Sequence, residues 1–448
     1  MNSKHFKLSV MMFLEFFIWG AWLPLIFGYL PSLNFKAGPE VVSFASLSDA
    51  WNTVISFEQG WILNAFAIAS LTALLFSTQF ADRNFAAERF LAFSHLVGGC
   101  AMVALTWTTT FSPFFVLMLI HCLFYVPTIS ITNSIAFANL SDPQKEFGRI
   151  RLWGTIGWIA ASVPFVFVLA DWAKIPEFGS VDFVTWLGAA LGTAKEGDSA
   201  KEATRYIFLA SGIASLVLAA FSLILPHTPP KPAGQGGEKL AWVEAVKLLG
   251  IPFVLVLWIV TFFDAAVHQG YFLFTNDFLQ RIGVPSNWVM PAMSIGQLAE
   301  IGTMAMLGYF LKRLGWRYTM IIGILGHALR FAVFSLMPPP WLAIGIIVVH
   351  GICYAFFFAT VYIFVDEFFP KDARSSAQGL FNLQILGFGQ LAANFGWPWL
   401  AAEYFTPEGT KQINFGKFFL VPSAVALGAA IFLFLFFRPP EKSRSAAA

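Results

Sequence analysis

The chain has 448 residues, 58% of them hydrophobic and 12% charged, and its mean hydropathy of +0.70 lies outside the range of soluble globular domains. Its 27 Lys and Arg nearly balance 25 Asp and Glu, so no basic field exists for nucleic acid, while 52 Phe and 16 Trp suit contact with lipid. An all-α integral membrane protein follows, and nucleic-acid binding is excluded as its main activity.

Charges, Pro/Gly clusters and Asn/Asp turns cut the chain into twelve apolar runs, each near the roughly 20 residues that a helix needs to cross the hydrocarbon core. The expected transmembrane helices, spans one to twelve, cover about 8–30, 58–80, 88–108, 112–139, 148–171, 204–225, 251–279, 288–311, 318–336, 341–366, 374–399 and 415–437. Lys4 and Lys7 precede the first run, but it carries Glu15 and leads to no small-residue cleavage site, so it reads as an uncleaved span. The uncharged stretch from Arg89 to Asp142 is too long for one crossing and splits at 108–113, as Pro338 to Pro340 split span nine from span ten. The outer loops, about 31–57 and 172–203, have room for short helices.

The longest inner loop, 226–247, is rich in Pro and Gly and reads as a cytoplasmic linker. It separates an N-terminal six-helix bundle, 1–225, from a C-terminal one with a short tail, 248–448. Ala81-Asp82-Arg83-Asn84 after span two is matched by Lys312 to Arg317 after span eight. Pro143, Lys145 and Arg149 after span four are likewise matched by Pro370, Lys371 and Arg374 after span ten. Recurrence six helices apart points to two parallel repeats with a substrate site between them at mid-membrane. The loops resemble the motif of the major facilitator superfamily, with Ala81 where a Gly is usual. Most Lys and Arg fall in inner loops if the amino terminus is inside, which places both termini in the cytoplasm.

Ionisable groups inside a bilayer are costly, which makes them candidates for function. On span one, Glu15 either takes a proton or pairs with another helix. His95 and His121 read as packed interface residues. On span five, Arg151, Thr155 and Trp158 are spaced i, i+4, i+7 and share a helix face, with Gly154 and Gly157 permitting close approach. On span seven, Asp264 and His268 are one turn apart and either satisfy each other or begin a polar strip that continues to Gln269. On span eight, Gln297 and Glu300 share a face. A carboxyl there is neutral in apolar surroundings and ionised when a cation such as Arg151 faces it, so moving the partner would exchange a proton. His327 and Arg330 on span nine read as structural. His350, Tyr354 and Phe358 repeat every four residues on span ten, and with Phe356 and Phe357 they form either a stacking surface or packing.

Neither a Walker loop, an HExxH pair nor a GxSxG elbow is present in the sequence, so neither ATP hydrolysis nor membrane hydrolysis has machinery here. Cys100, Cys122 and Cys353 lie in apolar runs without ligand spacing, so no metal site or disulfide framework is expected. The expectation is a carrier, not an enzyme.

Residues 151–158 (RLWGTIGW), 128–135 (TISITNSI), 294–300, 13–22 (FLEFFIWGAW) and 366–381 (DEFFPKDARSSAQGLF) resemble, end to end, the bacterial nucleoside:proton symporter family of the major facilitator superfamily. The resemblance implies that Arg151, Thr155 and Trp158 match the family's arginine, threonine and base-stacking aromatic, with Trp158 replacing phenylalanine. It implies further that Gln269, Gln297 and Glu300 face the nucleoside, and that Glu300 and Arg151 couple the proton. Two positions depart from the family pattern: Phe272 stands where better-known members have asparagine, and Ala355 where they have an aspartate. Glu15 and Asp264 are the candidates to compensate for the lost acid.

The expectation is therefore a proton-coupled symporter of nucleosides working by alternating access in the bacterial inner membrane. Its partners are a small-molecule substrate and the lipid bilayer, it acts as a monomer, and it has no cofactor beyond the proton gradient. The alternatives are a sugar or oligosaccharide:proton symporter, which Trp stacking and Gln/Glu bonding also suit, and a transporter-like solute sensor.

Overall fold

The computed structural model describes residues 3–38, 45–73, 85–141, 143–230, 246–369, 374–410 and 412–439, without the side chains of 143–145 and 374–376. The loop Ala81 to Asn84, most of the linker 226–247, Pro370, Lys371 and the side chains of Lys145 and Arg374 lie outside this description.

Among the described residues the chain is helical, with one isolated bridge between Ala170 and Ala194. Span one is Ser3–Ser32, span three Ala87–Leu105, span four Phe111–Asn139, span six Tyr206–Ser222, span seven Pro252–Arg281 and span twelve Leu420–Phe436. Span two is Glu58–Thr72, preceded at an 81° bend by the short helix Leu47–Ile55. Span five, expected to run unbroken to 171, is Pro143–Ala160, then a break, then Val163–Val168.

Nine helices, or ten with the bent pair, are long and apolar enough to cross a membrane among the described residues. Two physical reasons raise that to twelve. Val289–Ser335 has 47 residues. At about 1.5 Å per residue it would be roughly twice as long as the ~30 Å hydrocarbon core. It breaks at Gly315, whose φ of 72° lies in the left-handed region where a Cβ is disfavoured, so its two arms are spans eight and nine. Span eleven, built from Arg374–Asn382, Leu383–Phe388 and Gly389–Phe405, is too polar to register by hydropathy, because it carries Asn382, Gln384, Gln390 and Asn394.

Span ten covers Pro340–Phe368. Spans ten and eleven each contain a π-helical segment, Tyr354–Ala359 and Leu383–Phe388. Such segments recur at functional sites because they re-aim side chains within a continuous helix.

Span one packs on spans four, five and six, and span three on spans four and six. In the second half, span seven packs on eleven and twelve, and the arms Val289–Ser335 on ten and twelve. The tightest approach is between spans one and five, where a Cβ on Gly157 would sit 2.1 Å from the Phe13 carbonyl oxygen. No larger residue fits there.

The halves meet where span two lies along span eleven and span one meets span seven. Spans five and eight touch as well, and several of the contacts between the halves lie toward the end opposite the termini. Phe395 packs edge-on against Phe57 and Trp61 at 5.7 and 5.3 Å, and Asn394 donates to Asn64 at 3.0 Å. A Cβ on Gly28 of span one would lie 2.9 Å from Asn276 of span seven. The outer loop of the first half also grips the start of span eight, since Trp288 and Asn287 both donate to the Leu191 carbonyl at 2.7 and 3.1 Å. Spans four and ten, by contrast, share no extensive packing among the described residues.

Candidate functional site

A cavity of about 460 Å³ lies between the halves. Spans one, two, four, five, seven, eight, ten and eleven line it; three, six, nine and twelve do not. That volume falls within the range of small-molecule sites.

The first half supplies mainly rings. Trp19 stacks on Phe66 at 4.9 Å and 12°, and meets Trp158 edge-on at 5.3 Å and 81°. Phe16 lies beside them under Arg151, whose guanidinium carbon is 3.9 Å from the ring centroid. Thr155 continues the same face, as the i, i+4, i+7 spacing requires.

The second half supplies most of the hydrogen-bonding groups. Gln269 lines the cavity and donates to Asn394 at 2.9 Å, and Asn394 passes the chain to Asn64 in the first half. Gln297 and Glu300 line it from span eight, held against span ten where a Cβ on Gly351 would come within 2.3 Å of the Glu300 backbone nitrogen. Phe272, His350, Tyr354 and Phe358 complete the wall.

Five buried polar atoms on cavity residues have no hydrogen-bond partner: Trp19 Nε1, Trp22 Nε1, Asn133 Oδ1, His268 Nδ1 and Gln297 Oε1. Buried polar groups in folded proteins are almost always paired. These atoms are enclosed rather than open onto the hollow, so the polar groups that a solute would meet there are others of the lining, Arg151, Thr155, Gln269, Glu300 and Tyr354 among them, set between aromatic surfaces.

The structure brings together Arg151, Thr155, Trp158, Gln269, Phe272, Gln297, Glu300 and Tyr354 on one cavity. Arg151 and Glu300 share it without an ion pair joining them. Sequence reasoning assigned no role to Trp19, Phe66, Asn133, Asn382 or Gln390, which line it too. The only available signal was a polar or large aromatic residue within an apolar run. Of the span-ten aromatics, Phe358 faces the cavity, whereas Phe356 packs away from it with Ala355 and Leu307.

Glu15 and Asp264 are fully buried and do not line the cavity. Glu15 is enclosed in the first half. Its Oε2 meets His95 Nε2 at 2.9 Å and its Oε1 accepts from Thr128 at 2.8 Å. The His95 ring is held from its other side by Ser215 at 3.0 Å. His95 is thus more than packing.

Asp264 does not satisfy His268. Both its carboxylate oxygens lack hydrogen-bond partners, and the nearest ionisable contact is His327 Nε2 at 3.7 Å. Arg330, also fully buried, donates to His327 Nδ1 and His350 Nδ1, each at 2.9 Å, and lies over the Tyr271 ring at 4.1 Å. His327 and Arg330 are away from the cavity, yet Arg330 holds His350, which lines it.

A family model described as nucleoside H+ symporter matches residues 1–191 and 168–442. The putative nucleoside transporter YegT of Escherichia coli (strain K12) is 32% identical, covering 98% of this chain and 95% of its own. The xanthosine permease of the same strain is 27% identical, covering 97% of each. The solved structure of a point variant of the nucleoside transporter NupG superposes with a TM-score of 0.79 at 23% identity, over 97% of this chain and 100% of the other. The chain belongs to the nucleoside H+ symporter family and is an integral membrane transporter, not an enzyme.

Proposed function

We propose, taking that membership as the premise, that the chain carries a nucleoside together with a proton through the cavity between its halves. The observation that carries this reading is one cavity between the halves whose lining sets Arg151, Thr155, Gln269, Gln297 and Glu300 between aromatic walls. The nucleobase stacks on Trp158 beside Trp19, with Phe272 and Tyr354 on the facing wall. Thr155, Gln269, Gln297 and Glu300 bond its polar edges and ribose hydroxyls. Glu300 is the carboxyl that takes the proton, and Arg151 is the cation whose distance from it changes as the halves move, because a carboxylate buried near a cation and one buried without it differ in protonation.

The moving bodies are residues 1–225 and 248–448, rocking about the cavity. Closed contacts at the end opposite the termini, and no extensive packing of spans four and ten among the described residues at the other, support a state open toward the termini. Lys4, Lys7, Arg89, Lys247, Lys312, Arg313 and Arg317 at that same end support its being cytoplasmic, as in an inner-membrane carrier. Purified protein in thermal-shift and competition-uptake assays tests the substrate. Nucleosides should raise the melting temperature and compete for uptake. Competition by pyranoses alone would replace this reading with the sugar alternative.

A further inference from the structure

We infer that Asp264 is a second proton-binding site of this carrier, separate from Glu300 and reached from the cavity through His268. The inference rests on the proposed transport reading for its use, though not for the binding of the proton itself.

Arg330 is a buried cation in the membrane-spanning part of the fold, with Nε unpartnered and no carboxylate bonded to it among the described residues. A guanidinium only donates. Its bonds to His327 Nδ1 and His350 Nδ1 therefore require lone pairs on both atoms, which fixes both rings as neutral with their protons on Nε2. Neither ring can become an imidazolium while it holds Arg330. The same bonds leave those nitrogens unavailable to a metal ion.

His327 Nε2–H then points toward Asp264 Oδ2 across 3.7 Å, too long for a strong bond. Asp264 is left with one charge nearby and no donor in contact. Ionised, it offsets the Arg330 charge through the His327 ring; protonated, it is at home in apolar surroundings. A carboxylate bonded by two donors has no such choice, because one state is favoured strongly.

His268 connects this acid to the cavity. It lies one turn beyond Asp264 on span seven, lines the cavity, and has Nδ1 unpartnered. Its ring stacks on His350 at 4.9 Å and meets His327 at 5.5 Å. The step is proton transfer alone: His268 makes no hydrogen bond to Asp264 in this state, so its ring must first turn toward the acid, and the imidazole then gives a proton to a carboxylate oxygen and regains one from the cavity. Titratable or charged groups around Asp264 are His268 and Tyr271 on its own span, His327 and Arg330 on span nine, and His350 and Cys353 on span ten, with Glu300 across the cavity on span eight. Spans eleven and twelve bring none between Ala377 and Ala402 or between Leu420 and Phe436. Span one meets span seven near Gly28, far along from Asp264.

The test uses the full chain in proteoliposomes, without substrate, in a Glu300→Gln background. A pH jump is followed by infrared difference spectroscopy. A protonated-carboxyl band should titrate and should vanish in Asp264→Asn, and His268→Asn should slow its appearance. A band that persists in Asp264→Asn overturns the assignment. Should that variant fail to fold, Asp264→Glu must shift the band, and an unshifted band overturns it equally. With nucleoside present and Glu300 intact, the number of protons carried per substrate should fall by one in Asp264→Asn; an unchanged ratio sinks the inference. If the parent protein moves no nucleoside at all, the transport reading fails while the infrared result still decides proton binding.

Discussion

Spans one and seven carry a buried acid at the same place: Glu15 and Asp264 are each the thirteenth residue of a 30-residue helix. A histidine from the third helix of each half faces it, His95 in one and His327 in the other. Counted from Phe111 and Pro340, His121 and Tyr125 occupy the same steps of span four as His350 and Tyr354 do of span ten. The frame is shared, but the bonding differs. Thr128, which donates to Glu15, corresponds in this count to Phe357, and Gly98, whose carbonyl meets the His121 ring at 3.1 Å, corresponds to Arg330, three residues past its own histidine. Two differences thus separate a set in which the acid is bonded at both oxygens from one in which it is not and which holds a cation. The first half is tied down, while the second keeps ionisable groups in reserve.

The largest effect is expected of His95→Ala. It strands Glu15 in the core and should cost about 3–5 kcal/mol of stability, read as a lower melting temperature, as for other buried pairs deprived of one partner. If the contrast holds, His95→Ala combined with Glu15→Gln recovers part of that loss, and the folded fraction carries protons as before.

Glu300→Gln should come next in effect. Uptake driven by a pH gradient should fall at least about tenfold, equal to roughly 1.4 kcal/mol, while a thermal-shift response to nucleoside remains. Full gradient-driven uptake would remove Glu300 from the coupling role. Trp158→Ala, on the ring-rich wall of the first half, should weaken nucleoside binding by about 1–3 kcal/mol, the usual worth of a base–aromatic stack, with little change in the proton ratio. Thr128→Val is the mildest: about 1 kcal/mol for one lost hydrogen bond and no change in the pH profile. A changed profile would mean that Glu15 too is titrating.

The cavity-lining residues singled out from the sequence were legible because they sit in pairs or triplets at helical spacing, or carry a family motif. Asn133 was not, because a single amide in an apolar helix gives no hint of which way it points, and Asn382 and Gln390 were not, because they share span eleven with Gln384 and Asn394 and the sequence does not say which of the four amides face inward. The Asp264–His268 pairing misled for a related reason. Spacing i, i+4 permits contact, but the groups that face Asp264 come from span nine, 63 and 66 residues later (327 − 264 and 330 − 264), where no local pattern links them. Ala355 shows a third limit. A π-helical segment changes which residues share a face, so reading span ten at 3.6 residues per turn could not reveal that Ala355 packs against Leu307. The break at Gly315 was expected from its charges, whereas its left-handed backbone required coordinates.

The amide chain from Gln269 through Asn394 to Asn64 has one more implication. One of its ends lines the cavity, and the other helps bolt the far door. Whatever draws on Gln269 from within the hollow therefore pulls at the bolt, so the state of the cavity and the hold of the far door are linked.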